Sequence, residues 1–162
     1  MATRDAHDAV DAAFGGFDLA GPADYRAFLT AHARALPAAE ARMRSLAFAR
    51  TLSPRTPLLA ADLATLGEAM PAALPLAEGD DAAAWGTLYV VEGSRLGGAM
   101  LARGVPADWP ASYLRAVHPP GQWRAIRAAT DAAAANRDGE WHERLVAAAL
   151  ETFALYAAAA RG

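Results

Sequence analysis

The residues most capable of chemistry fall in two short stretches. The first is Tyr89-Val-Val-Glu-Gly-Ser-Arg-Leu-Gly-Gly98, where Gly93, Gly97 and Gly98 interrupt what otherwise reads as an amphipathic helix. Each glycine costs about 1 kcal/mol relative to alanine in a helix interior, and this chain uses alanine freely. The backbone itself must therefore bend here or come close to a flat object. Gly93 and Gly97 are four apart and share a helical face, and Gly98 widens it. Such a face lets main chain approach a planar macrocycle. It equally lets two helices pack closely, and spacing alone leaves both readings open.

The second stretch is Ala2-Thr-Arg-Asp-Ala-His-Asp-Ala-Val-Asp11, with His7 as its lone histidine and Arg4 one turn earlier on the same face. Neutral imidazole is a common axial ligand of heme iron, and a guanidinium pairs bidentately with a propionate. Taken alone, a histidine near a helix start reads as solvent-facing. Opposite a glycine-kinked helix it becomes one of the two walls that could sandwich a heme. Glu92 falls on the apolar stripe of Trp85, Leu88, Tyr89 and Leu96, where pairing with Arg95 or Arg103 is favoured over acid–base work. His32 lies one turn from Phe28 and Leu36 and reads as a satisfied core histidine. His118 and His142 have no partners at metal-ligand spacing. Ser94 lacks the strand-to-helix context of a nucleophile elbow.

The chain around these residues is 162 long, 54% apolar and 20% charged, which specifies a globular protein with one substantial core. With no cysteine it has no disulfide, thiolate metal site or cysteine nucleophile. All 15 basic residues are arginine, scattered through a chain of net charge −3, so nucleic-acid binding is not expected. No apolar run is long enough to cross a membrane and the start carries no apolar signal core, so a cytoplasmic location is expected. Helical periodicity dominates and strand alternation is nearly absent. Helices are expected from Thr3 to Gly15-Gly16, from Asp24 through a kink at Pro37 to about Leu52, from Leu58 to near Gly67, and continuously from about Ala82 to Arg103. Three more are expected at about 111–117, 122–136 and 140–160, with residues 69–80 as a linker loop. The whole chain, 1–162, is expected to form a single all-α domain.

Together these segments resemble the heme oxygenase family, particularly the bacterial branch often encoded beside bacteriophytochromes. The resemblance runs from the His7 segment through Tyr25-Arg-Ala-Phe-Leu-Thr-Ala-His-Ala-Arg-Ala-Leu36 and Pro57-Leu-Leu-Ala-Ala-Asp-Leu63. It is strongest in Gly86-Thr-Leu-Tyr-Val-Val-Glu-Gly-Ser-Arg-Leu-Gly-Gly98, similar to the family's distal-helix signature, and continues in His118-Pro-Pro-Gly-Gln-Trp123 and the last helix. It implies a compact helical fold holding heme between the first helix and the distal helix. It implies oxidative opening of heme to biliverdin with release of iron and CO, using O2 and electrons from a separate reductase or ferredoxin, with a bacteriophytochrome as a further partner. His7 would be the iron ligand. Gly93, Ser94, Gly97 and Gly98 would form the catalytic distal wall. Tyr89, Arg4, Arg124 and Arg127 would contact the heme and its propionates. Many heme oxygenases carry an aspartate after the first distal glycine, organising water for proton delivery, whereas this chain has Ser94. That departure keeps an alternative open: a non-catalytic module of the same fold binding heme, a tetrapyrrole or a phytochrome kinase.

Overall fold

A computed structural model describes residues 3–162; Met1 and Ala2, at the start of the histidine segment, lie outside the described residues. The described chain is all-helical, with α1 Arg4–Phe14, α2 Pro22–Met43, α3 Thr56–Thr65, α4 Asp81–Gly93, α5 Arg95–Leu101, α6 Ser112–Arg115, α7 Gln122–Ala134 and α8 Gly139–Ala160. No strand occurs among the described residues. Helices α2, α4 and α8 pack on one another and make the centre. Helix α1 lies on α8, α3 on α2 and α6, α5 on α6, and α7 on α4.

Helices α4 and α8 are started alike. Asp80 accepts from the Ala83 amide at 3.0 Å and Asp138 from the Trp141 amide at 2.8 Å, each satisfying an otherwise unpaired first-turn donor. The two starts are also tied together, by Asp80 to Arg144 at 2.8 Å, Asp81 to Arg137 at 2.6 Å and Trp141 Nε1 donating to Asp81 at 3.1 Å. Further along, a Cβ placed on Gly86 would lie 2.2 Å from the Leu145 carbonyl oxygen, and buried Thr87 meets buried Thr152 at 3.1 Å. These contacts advance in step, so α4 and α8 run parallel, and only glycine at position 86 permits their approach.

Two expectations about helix continuity are corrected. α2 carries Pro37 in its interior, as expected, but ends at Met43; the expected continuation to about Leu52 is a loop with a 3-10 turn at Ala49–Thr51. An interior proline costs about 3 kcal/mol, but Leu36, Ala39 and Met43 around it are buried in the core, and that packing overrides the local preference. The glycine-bearing segment is two helices and not one. α4 stops at Gly93, Ser94 makes a break, and α5 ends at Leu101 before a 3-10 turn at Ala102–Gly104. The helix expected at 111–117 is a single turn, and α7 stops at Ala134.

Candidate functional site

The break at Ser94 is held by side chains from other elements. A helix leaves its last carbonyls unpaired, and α4 finds donors for two of them. Arg55, at the entry to α3, donates from Nη2 to Val91 O at 2.6 Å. His118, in the loop before α7, donates from Nε2 to Glu92 O at 3.0 Å. Ser94 Oγ also donates to Val91 O at 2.7 Å and accepts from Arg55 Nη2 at 2.8 Å. Both capacities of that hydroxyl are thus used inside the protein. Glu92 is buried and faces Arg95 at 2.8 Å, while Arg95 reaches on to the Ser53 and Ala116 carbonyls. The expected pairing of Glu92 with Arg95 is therefore present. Arg95 Nη2 donates to Glu92 Oε1 at 3.3 Å, while the closer approach of Nε to Oε2 is poorly aimed and leaves both of those atoms without a hydrogen bond.

The outer face of the same segment is bare. A Cβ on Gly97 would meet nothing within 4 Å, and one on Gly93 would touch only the Trp123 ring, at 3.4 Å. Gly98 differs: its Cβ would sit 2.7 Å from the Leu114 carbonyl oxygen, so this glycine lets α5 approach α6. Leu96, Met100 and Leu101 are exposed beside Gly97, as is Tyr89 one turn before Gly93. A groove of about 640 Å³ opens there, bounded by Leu96, His118, Trp123, Arg124, Arg127 and Asp131. Tyr89 packs on Trp123 with ring centroids 5.3 Å apart. Gly93, Tyr89, Arg124 and Arg127, far apart in sequence, thus collect around Trp123.

His7 and Arg4 lie on α1, which rests chiefly on α8. The His7 side chain is 59% exposed; Asp11 Oδ2 lies 3.2 Å from its Nδ1, and its ring meets Phe153 edge-on at 5.8 Å. Carboxylate contact at Nδ1 is the usual outer partner of a ligating histidine, leaving Nε2 for the metal. Arg4 is exposed. Helix α1 makes no extensive contact with α4 or α5. No cluster of three or more His, Asp or Glu suited to a metal ion occurs among the described residues.

His32 is enclosed by Phe14, Phe28, Tyr113 and Tyr156, and its Nδ1 donates to Phe28 O at 3.0 Å. It keeps a little accessible surface, but the aromatic enclosure dominates. Burial lowers its pKa from 6.5 to about 4, outweighing the Phe28 hydrogen bond. Between those values the unfolded chain holds a proton that the folded chain does not. Stability should therefore fall as pH drops from 6.5 towards 4, by up to about 3 kcal/mol, and this contribution then levels off. Urea melts of the parent and of His32→Gln at pH 7, 5.5 and 4 check it: the difference between the two proteins should shrink with acidity.

Sequence reasoning missed Arg55 and the capping role of His118. Arg55 sits in Ser53-Pro-Arg-Thr-Pro57, a turn whose composition gives no sign of a side chain with 3% exposure.

No protein-family model matches the chain. Over 81 residues it is 40% identical to a heme oxygenase of Xanthomonas campestris pv. campestris (strain 8004), an alignment taking in 46% of this chain and 48% of that one. The chain thus spans about half the length of that curated relative in the match. Its fold is similar to the heme oxygenase of Neisseria meningitidis, solved bound to NO and to CO, with a TM-score of 0.80 and 25% identity over 99% of this chain and 86% of that one.

Proposed function

We propose that this chain, a member of the heme oxygenase family by sequence and fold, binds heme and opens it oxidatively to biliverdin, releasing iron and CO. What supports this reading is the likeness to heme oxygenases in sequence and fold, together with an exposed His7 on α1 and open backbone at Gly97 on α5 among exposed Leu96 and Met100. A porphyrin needs apolar faces, cations for its propionates and an axial donor. The Leu96 face, Arg124 with Arg127, and His7 supply these in turn.

Bound heme supplies both the ring that is consumed and the iron at which O2 is reduced, with electrons from a separate reductase or ferredoxin. His7 would ligate through Nε2, with Asp11 orienting the ring. Arg4, Arg124 and Arg127 would hold propionates, and Tyr89 would flank the macrocycle with Trp123. Gly93 and Gly97 would let backbone lie against the heme face, while Gly98 holds α5 on α6. Ser94, its hydroxyl committed to Val91 and Arg55, would fix the bend and leave proton delivery to water against the open backbone. No described helix is long and apolar enough to cross a membrane. The proposed setting is the bacterial cytoplasm, with product passed to a bacteriophytochrome.

Hemin added to purified protein, then ascorbate in air with catalase, tests the reading. Loss of the Soret band with growth of a broad red biliverdin band supports it. A shifted but persistent Soret band points to the non-catalytic module, and no saturable change refutes heme binding. Arg124→Ala with Arg127→Ala should weaken hemin affinity about tenfold, read by Soret titration.

A further inference from the structure

We infer that Arg55 is a positioning residue for the reaction proposed above, fixing the bend at which α4 gives way to α5 and so setting the surface that glycine-bearing backbone presents. This rests on the heme reading, but its geometry stands independently.

Arg55 is 3% exposed and no carboxylate lies within ion-pair distance of its guanidinium among the described residues. Its charge is instead held by a helix end and an aromatic face. Nη2 donates to Val91 O and Ser94 Oγ, and Cζ stands 5.1 Å from the Tyr113 ring centre. The carbonyl end of α4 carries partial negative charge, which suits a cation. The residue is itself anchored, because its backbone N–H donates to buried Glu40 at 2.6 Å. α2 thus holds Arg55 through Glu40, and Arg55 holds the bend.

The guanidinium is specific to this task. Both bonds leave one nitrogen, Nη2, while the planar guanidinium stays against the Tyr113 ring; a lysine ammonium can donate to two oxygens but has no flat face to lay on that ring. Ser94 completes the fit. With its hydroxyl donated to Val91 O, it shares that carbonyl with Arg55 and closes a three-membered cluster across the break. An aspartate at position 94 would instead draw the guanidinium into an ion pair and away from Val91 O, so the serine and the observed bend belong together.

The test compares the parent with Arg55→Lys and Ser94→Ala, each full length, by two measurements. Hydrogen exchange without hemin should quicken about tenfold across residues 91–101 in Arg55→Lys, and about threefold in the milder Ser94→Ala, with α2 and α8 unchanged. With hemin and ascorbate, the ratio of biliverdin isomers should shift in Arg55→Lys, a readout that general loss of stability does not move. Parent-like exchange across 91–101 in both variants overturns the proposal, whether or not heme turns over. Quickened exchange with an unchanged isomer ratio also overturns it, leaving Arg55 a structural residue only. A parent that neither binds nor degrades hemin refutes the heme reading instead, and the exchange arm still reports on the bend. Should Arg55→Lys not fold, Ser94→Ala carries both measurements.

Discussion

His7→Ala should leave a folded protein that no longer ligates heme iron. The side chain is more than half exposed, its polar contacts are with Asp11 and, more distantly, Asp8 on its own helix, and its ring meets Phe153 at 5.8 Å. Removing so exposed a group should change stability by no more than about 0.5 kcal/mol. Turnover should nevertheless fall by about 100-fold or more, because an iron without its axial donor is neither held nor electronically tuned. Soret position and ascorbate-driven heme loss, measured beside a thermal melt, check this, and added imidazole should restore part of the ligated spectrum. A parent-like Soret band in the variant would show that another residue holds the iron. Asp11→Asn gives the graded companion: ligation kept, with affinity lowered about tenfold through loss of the orienting carboxylate.

Gly86→Ala should be the most damaging small substitution in the chain. Its Cβ would lie 2.2 Å from the Leu145 carbonyl oxygen and 3.1 Å from the Ala149 amide nitrogen, both backbone atoms in the middle of α8. Backbone cannot swing aside as a side-chain tip can, so α4 and α8 would have to separate along their shared length. Overpacking a well-filled core usually costs 1–3 kcal/mol, and a clash with rigid helix backbone belongs at or above about 3 kcal/mol. For a chain of this size that corresponds to a melting temperature lower by roughly 10 °C. The gain from alanine's better helix propensity, about 1 kcal/mol, is too small to compensate. A melt matching the parent would mean that α4 and α8 are not so closely apposed.

What could be read from the sequence and what could not divide along a physical line. Local signals carried well. The last helix starts within a residue of its expected beginning at 140, residues 69–80 are the expected loop, and Phe28 and Leu36, expected beside a core histidine, are buried. Glycines at 93, 97 and 98 announced an unusual helix, though not that each serves a different neighbour: an aromatic ring, open space and a carbonyl oxygen. The unread features depend on residues distant in sequence. Nothing in Ser53-Pro-Arg-Thr-Pro57 says that its arginine will cap a helix ending at Gly93, and nothing around His118 says that it will reach Glu92 O. The end of α2 at Met43, short of the expected Leu52, was unread for the same reason, since α2 is held by packing on α4 and α8.

The parallel run of α4 and α8 sets two positive helix ends side by side. Asp80, Asp81, Asp138 and Glu140 gather at those ends, with Arg137 and Arg144 bridging them. Hydrogen bonding to the Ala83 amide, chiefly, holds the Asp80 carboxyl below its ordinary range, so its support is present at neutral pH and is lost as acid reaches it. The bend at Ser94 sits at the opposite end of α4, secured by guanidinium, hydroxyl and imidazole donors and by no carboxylate cap. The two ends of α4 are therefore closed by opposite chemistry: carboxylates satisfy the amides at its start, and guanidinium, hydroxyl and imidazole donors satisfy the carbonyls at its end.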